Sequence, residues 1–230
     1  LQGTQAERVR VPLADSTLVR LPDSVSDEEG LLLGDVLPTG YFCADLAGVD
    51  GSGVYAVVGC GPVGLMAVAA ARHRGAEHIV AIDSGPERLD LARSFGARPL
   101  DFREESPLEV LRGMTGGRGA DAVLEVVGSP AATRTAVDLV RPGGVVASVG
   151  VHTEEPLAFA PGEAYDRNLT YRTGRCPARH YMEELLPLVA EGRFPLSAVI
   201  SHRMNLEDGP DAYTLFDTKR DGCTKVVLAP

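Results

Sequence analysis

Positive charge is scarce in this sequence. Lys and Arg number 22 against 32 Asp and Glu, for a formal net charge of -10 and a pI near 5.0. Binding to nucleic acid or to an anionic membrane surface needs clustered cations that displace counterions, so neither partner is expected. Cysteine is equally sparse. Cys43, Cys60, Cys176 and Cys223 are scattered, with no C-x-x-C pair, which suggests neither a disulfide framework nor a structural zinc site. Long apolar runs are missing too. The stretch from Val54 to Ala71 is broken by Gly59, Gly61, Pro62 and Gly64 and closed by Arg72, so it does not qualify as a membrane span. No secretory h-region opens the sequence, and a cytoplasmic location is the expectation. The five histidines, at 73, 78, 152, 180 and 202, include no i, i+4 pair of the kind that builds a helical metal site, and each reads as an ordinary surface or satisfied residue.

What is present is an alternation of short apolar runs and amphipathic stretches. Strands are predicted at Gly53–Val58, His78–Ile82, Pro99–Asp101, Asp121–Val126, Val145–Val149 and Leu169–Arg172, with helices at Val63–Arg74, Pro86–Phe95, Pro107–Met114 and Ala131–Val140. Strands separated by helical crossovers give a parallel sheet with helices on both faces, and runs such as "GVYAVVG" are continuously apolar, as burial on both faces requires. The reading is an α/β, doubly wound, six-stranded sheet. Residues 1–25 and 176–230 do not share this rhythm and are expected to be pieces of a second domain flanking a nucleotide-binding domain at 26–175. Alternation around Val9, Val11 and Leu13 predicts a strand over residues 4–12. Two late helices are predicted at Tyr181–Ala190 and Asp211–Lys219, and "VSDEEGLLLGDVLPTGYFCADLAG" reads as one or two helices leading into the sheet. The sequence opens on Leu1 rather than Met, and a preceding segment is expected.

Residues 57–65, "VVGCGPVGL", follow the first predicted strand and open the first crossover helix. In that setting Gly59 permits the tight turn, Gly61 lets a pyrophosphate approach the backbone, and Gly64 allows close packing of helix on strand, with Pro62 and Val63 in the first helical turn. Free amides and the helix dipole there favour an anion. Asp83 ends the second strand, 19 residues after Gly64, where a carboxylate accepts hydrogen bonds from both adenosine ribose hydroxyls and repels a 2′-phosphate. NAD is therefore expected over NADP. Arg88 is either a partner for the adenine face or a solvated helix residue.

The stretches "GTQAERVRVP", "GDVLPTGYFCADLAGV", "VVGCGPVGLMAVAAA", "AIDSGPERLDLARSFGA", "LVRPGGVVASVGV" and "DGCTKVVLAP" resemble the zinc-dependent medium-chain alcohol dehydrogenases, in particular the branch of the glutathione-independent formaldehyde dehydrogenases. They run from Gly3 to Pro230. The resemblance implies that the sheet is a Rossmann NAD-binding domain, with flanking remnants of a GroES-like catalytic domain. It puts Asp35 at the position of a catalytic zinc ligand, although by spacing alone Asp35 is a helix residue without a metal. Thr39 would lie near the nicotinamide ring. Val127, Gly128 and Val151 would line the ligand crevice at the carboxyl ends of the strands. Lys225 either approaches the pyrophosphate or is solvated. In full-length members the first half of the chain supplies the remaining zinc ligands, a proton-relay hydroxyl and a structural zinc lobe, none of which is in this sequence. Two readings follow. With that half present, zinc-assisted hydride transfer to or from a nicotinamide would oxidise an alcohol or reduce an aldehyde. Without it, the chain is an NAD(H)-binding module with a regulatory or structural role or a different chemistry. Family members pair through the last strand of the sheet, here Leu169–Arg172, implying a homodimer or homotetramer.

Overall fold

The computed structural model describes residues 3–153 and 156–230. Leu1 and Gln2, which begin the expected 1–25 remnant, lie outside it. The strand expected over residues 4–12 does not form. That stretch is irregular and leads into a single helical turn, α1 (Ala14–Thr17). Val9, Val11 and Leu13 are exposed, at 50%, 39% and 79% of their surface. Period-2 alternation specifies which face of a sheet a residue occupies, but a strand also needs a hydrogen-bonded neighbour, and none lies alongside it among the described residues.

Two helices then lead into the sheet. Helix α2 (Asp27–Leu33) starts at a capping box, in which the Ser26 hydroxyl accepts from the Glu29 amide and the Glu29 carboxylate accepts from the Ser26 amide. Helix α3 (Val36–Leu46) buries Val36, Leu37, Tyr41, Cys43 and Ala44. The strands follow as β1 (Val54–Val58), β2 (His78–Asp83), β3 (Arg98–Asp101), β4 (Ala120–Glu125), β5 (Val140–Ser148) and β6 (Thr170–Thr173). Between them run α4 (Pro62–His73), α5 (Pro86–Ser94), α6 (Pro107–Met114), α7 (Pro130–Leu139) and the short α8 (Pro161–Asp166). Each of these helices opens with proline at its first position, where the missing N–H would have no intrahelical partner and φ is already helical.

All six strands are parallel, in the order β3-β2-β1-β4-β5-β6. The chain winds outward in both directions from β1, as expected of a doubly wound sheet, and the order reverses between β1 and β4. Successive residues of a strand feed opposite cores. Tyr55, Val57, Ile79 and Ala81 face one side with α3, α4 and α5, whereas Ala56, Val58, Val80 and Ile82 face the other with α6 and α7. This is why β1 and β2 read as nearly unbroken apolar runs. Strand β5 starts at Val140, five residues earlier than expected, through Pro142, Gly143 and Gly144. A register irregularity at Ala120/Ala122 accommodates the extra length.

Past the sheet come α9 (Ala178–Ala190), β7 (His202–Asn205), α10 (Gly209–Thr218) and β8 (Val226–Ala229). Strands β7 and β8 form a separate parallel pair. Helix α9 places Tyr181, Leu185 and Val189 in the same core as α3 and α4, so the expected boundary at residue 176 falls at the entrance to a helix of that core. Helices α3 and α4 meet backbone to backbone at Gly40, where an added Cβ would stand 2.6 Å from the Ala67 amide nitrogen and 2.7 Å from the Met66 carbonyl carbon.

Candidate dinucleotide site

The glycine loop turns out of β1 at Gly59, whose φ of 96° lies in the region that favours glycine and whose Cβ would press on Val127 Cγ2 at 2.5 Å. A Cβ on Gly64 would collide with the Gly59 carbonyl oxygen, so only glycine lets α4 sit this close to the strand. Gly61 differs from both. Its backbone is extended, at φ -66° and ψ -178°, and a Cβ there would meet nothing within 4 Å. The space beside it opens outward from the N-terminus of α4. Leu65 is the first residue to bond within the helix, donating to the Gly61 carbonyl, so Val63 and Gly64 precede any intrahelical amide bond and Pro62 has no N–H. Backbone amides, a dipole and an open approach together fit the phosphates of a dinucleotide.

Asp83 is buried, at 8% exposure, and its carboxylate organises the loop's neighbour. Oδ2 accepts from the Cys60 amide at 2.8 Å. Oδ1 accepts from the Ser84 and Gly85 amides at 2.7 and 2.9 Å and pairs with the Arg88 guanidinium at 2.9 Å. Arg88 is therefore an ion-pair partner of Asp83, neither free in solvent nor independent of the carboxylate. Arg103 lies on the same rim, donating to the Ser84 carbonyl at 2.6 Å and pairing with Asp101, whose pKa it lowers to about 2.

At the other end of the crevice, Val127 and Val151 expose apolar side chains, at 51% and 77%, beyond the carboxyl ends of β4 and β5. Their turns interlock. Gly128 has a φ of 84°, its Cβ would stand 2.5 Å from the Val151 amide nitrogen, and a Cβ on Gly150 would strike the Gly128 amide. Two residues here, Glu125 and Ser148, were not singled out from the sequence, and a third, His152, was read there as an ordinary surface or satisfied histidine. Glu125, the last residue of β4, is fully buried; Ser148 ends β5; and His152 follows it. Glu125 is the acid at the carboxyl end of its strand just as Asp83 is of β2, and that symmetry was the available signal.

Asp35 is exposed at the N-cap of α3, and the Thr39 hydroxyl donates to its Oδ1 at 3.2 Å. Cys176 joins them. Burial pushes its thiol up to about 11 and the charge of Asp35 adds to this, against a hydrogen bond with Thr39. Asp35 and Lys225 line a cleft of about 450 Å³ with Leu31, Val36, Tyr213 and Phe216, and no glycine-loop residue borders it. A catalytic zinc takes three protein ligands. Among the described residues no group of three His, Cys, Asp or Glu stands close enough to hold a metal. Cys43, Cys60 and Cys223 are buried small residues. None of the described helices is long and apolar enough to cross a membrane.

Sheet order, glycine loop and strand-end acid together define a Rossmann-type α/β protein of the dinucleotide-binding kind. The family profile described as zinc-binding dehydrogenase matches residues 62–191, more than half of the chain, and the protein belongs to that family. The chain is similar to zinc-type alcohol dehydrogenase B of Aspergillus flavus, with 40% identity over 228 residues covering 96% of this chain and 53% of that protein. It is 35% identical over 205 residues to the NADP-dependent isopropanol dehydrogenase of Thermoanaerobacter brockii, covering 87% and 58%. The solved alcohol dehydrogenase TADH from Thermus sp. ATN1 superposes with a TM-score of 0.95 at 40% identity, over all of this chain and 66% of that one. The chain thus spans between about half and two thirds of the length of these relatives.

Proposed function

We propose that the protein takes part in NAD-dependent oxidation of an alcohol or reduction of an aldehyde. The observation that carries this is the loop at Gly59, Gly61 and Gly64, whose open flank at Gly61 meets the N-terminus of α4 at the point where the sheet order reverses. A nicotinamide bound here would supply the hydride acceptor or donor. The amides of the first turn of α4 hold the phosphates, Asp83 faces the adenosine ribose with Arg88 at its side, and Val127, Gly128 and Val151 flank the nicotinamide end. Thr39 approaches the ring from α3. The negative charge of Asp83 favours NAD over NADP, and Asp35 contributes one carboxylate ligand to a metal whose other ligands lie outside the described residues. The open edge of β6 is the surface proposed for pairing with a second copy.

The test is alcohol-dependent NADH formation by the full-length protein, together with its zinc content. Asp35→Ala should remove activity and lower bound zinc; full zinc and full activity in that variant would end its proposed role. Asp83→Gly should weaken NAD and narrow the preference over NADP, so an unchanged ratio of affinities would refute the ribose assignment.

A further inference from the structure

Glu125 is 0% exposed, yet among the described residues no Lys or Arg pairs with it. A buried carboxylate is costly unless each oxygen is engaged, and here both are. Oε1 accepts from the amides of Val127 and Gly128, at 2.7 Å each. Oε2 accepts from the Ser148 hydroxyl at 2.6 Å and lies 3.3 Å from His152 Nε2. His152 Nε2 is also 2.8 Å from Ser148 Oγ. Ser148 has one hydroxyl proton, and it goes to Glu125, so the imidazole must donate: Nε2 carries hydrogen and points into the pair of oxygens. The negative charge is felt nearby, since the Cys43 thiol behind β5 is pushed up by burial and then by Glu125.

One carboxylate thereby ties two turns together. Its Oε1 fixes the backbone of the turn after β4, and its Oε2 fixes the end of β5 and, through His152, the turn after it. These are the turns that interlock at Gly128 and Gly150 and carry the exposed Val127 and Val151. Adenosine is placed over β2 by Asp83 and the phosphates over β1 by the glycine loop, so the remaining end of a dinucleotide falls over β4 and β5.

We infer that Glu125, Ser148 and His152 are positioning residues that hold the wall receiving the nicotinamide end of the cofactor, with His152 as the removable pin of the clamp. The inference rests on the dinucleotide reading above and adds to it a division of labour: the clamp governs one end of the ligand only.

ADP-ribose, which keeps the adenosine and both phosphates but has no nicotinamide, separates the two ideas. Affinities of the full-length protein for NAD+ and for ADP-ribose are measured by calorimetry. His152→Ala should weaken NAD+ roughly ten-fold, the scale of one hydrogen bond to a buried charged group, and leave ADP-ribose within about two-fold. His152→Gln, whose amide nitrogen can donate from the position of Nε2, should recover most of the loss. Ser148→Ala should behave like His152→Ala. The inference is overturned if His152→Ala binds NAD+ as the unaltered protein does, if NAD+ and ADP-ribose weaken together, or if Gln rescues nothing. An unaltered protein that binds neither ligand would instead overturn the dinucleotide reading itself.

Discussion

Gly61 and Gly64 are three residues apart in one loop, and alanine should act on them in opposite ways. At Gly61 the backbone is already extended and a methyl group meets no atom within 4 Å, so the fold tolerates it. Removing glycine's freedom from the unfolded chain should even add about 0.4–1 kcal/mol of stability. The methyl would nevertheless project into the open space beside the first-turn amides, where the phosphates are proposed to bind. Losing one charge-assisted contact of about 1.5–3 kcal/mol corresponds to roughly ten- to a hundred-fold in dinucleotide affinity. At Gly64 the obstacle is the Gly59 carbonyl, with Val126 Cγ2 at 3.1 Å beyond it, and backbone cannot rotate away as a side chain would. Overpacking of this sort costs about 1–3 kcal/mol, which in a protein of this size lowers the melting temperature by roughly 2–12 °C. Thermal unfolding and NADH titration of the two variants provide the assay. A Gly61→Ala protein that melts early, or one that keeps full affinity, would refute the assignment of separate tasks to the two glycines.

Two further outcomes follow from packing and charge. Asp101, held by Arg103, should titrate near 2 and return toward its ordinary value in Arg103→Ala. Because its folded pKa lies below the unfolded one, its contribution to stability is present above about 3.9 and fades as the pH falls through 2; carboxyl chemical shifts followed by NMR read this directly. Leu185→Ala removes a fully buried side chain of α9 from the core it shares with α3 and α4, and should cost about 2–5 kcal/mol within one cooperative transition. Two separate transitions would show α9 to be an independent unit.

The central strands were readable because β1, β2 and β4 lie buried between two helical layers, which writes mostly apolar runs into the sequence, whereas the edge strands β3 and β6 are more polar and more exposed. The glycine loop was readable because its three glycines meet distinct steric demands. By contrast, residues 4–12 carry a strand's alternation without a strand's neighbour, and pattern alone does not supply one. Glu125 was overlooked because a lone acid at the end of a strand looks the same whether it is solvated or gripped by four donors. His152 gave no metal spacing, and its partner sits 27 positions earlier in the chain, on a strand that only the sheet register brings alongside. The closeness of Cys176 to Asp35 and Thr39 likewise depends on how the chain returns to α3 after β6.

The contact of Gly40 with Ala67 and Met66 has a mechanical meaning. Asp35 and Thr39 ride on α3, the amides proposed to bind phosphate ride on α4, and at Gly40 the two helices touch at the backbone and Cβ of Met66 and the backbone of Ala67, with no longer side chain to act as a cushion. A bulkier residue at position 40 would wedge the pair apart and carry Asp35 away from the glycine loop, while the loop itself remained intact. The spacing between the proposed metal ligand and the proposed cofactor is thus gauged by the thickness of two bare backbones, at a point that touches neither ligand.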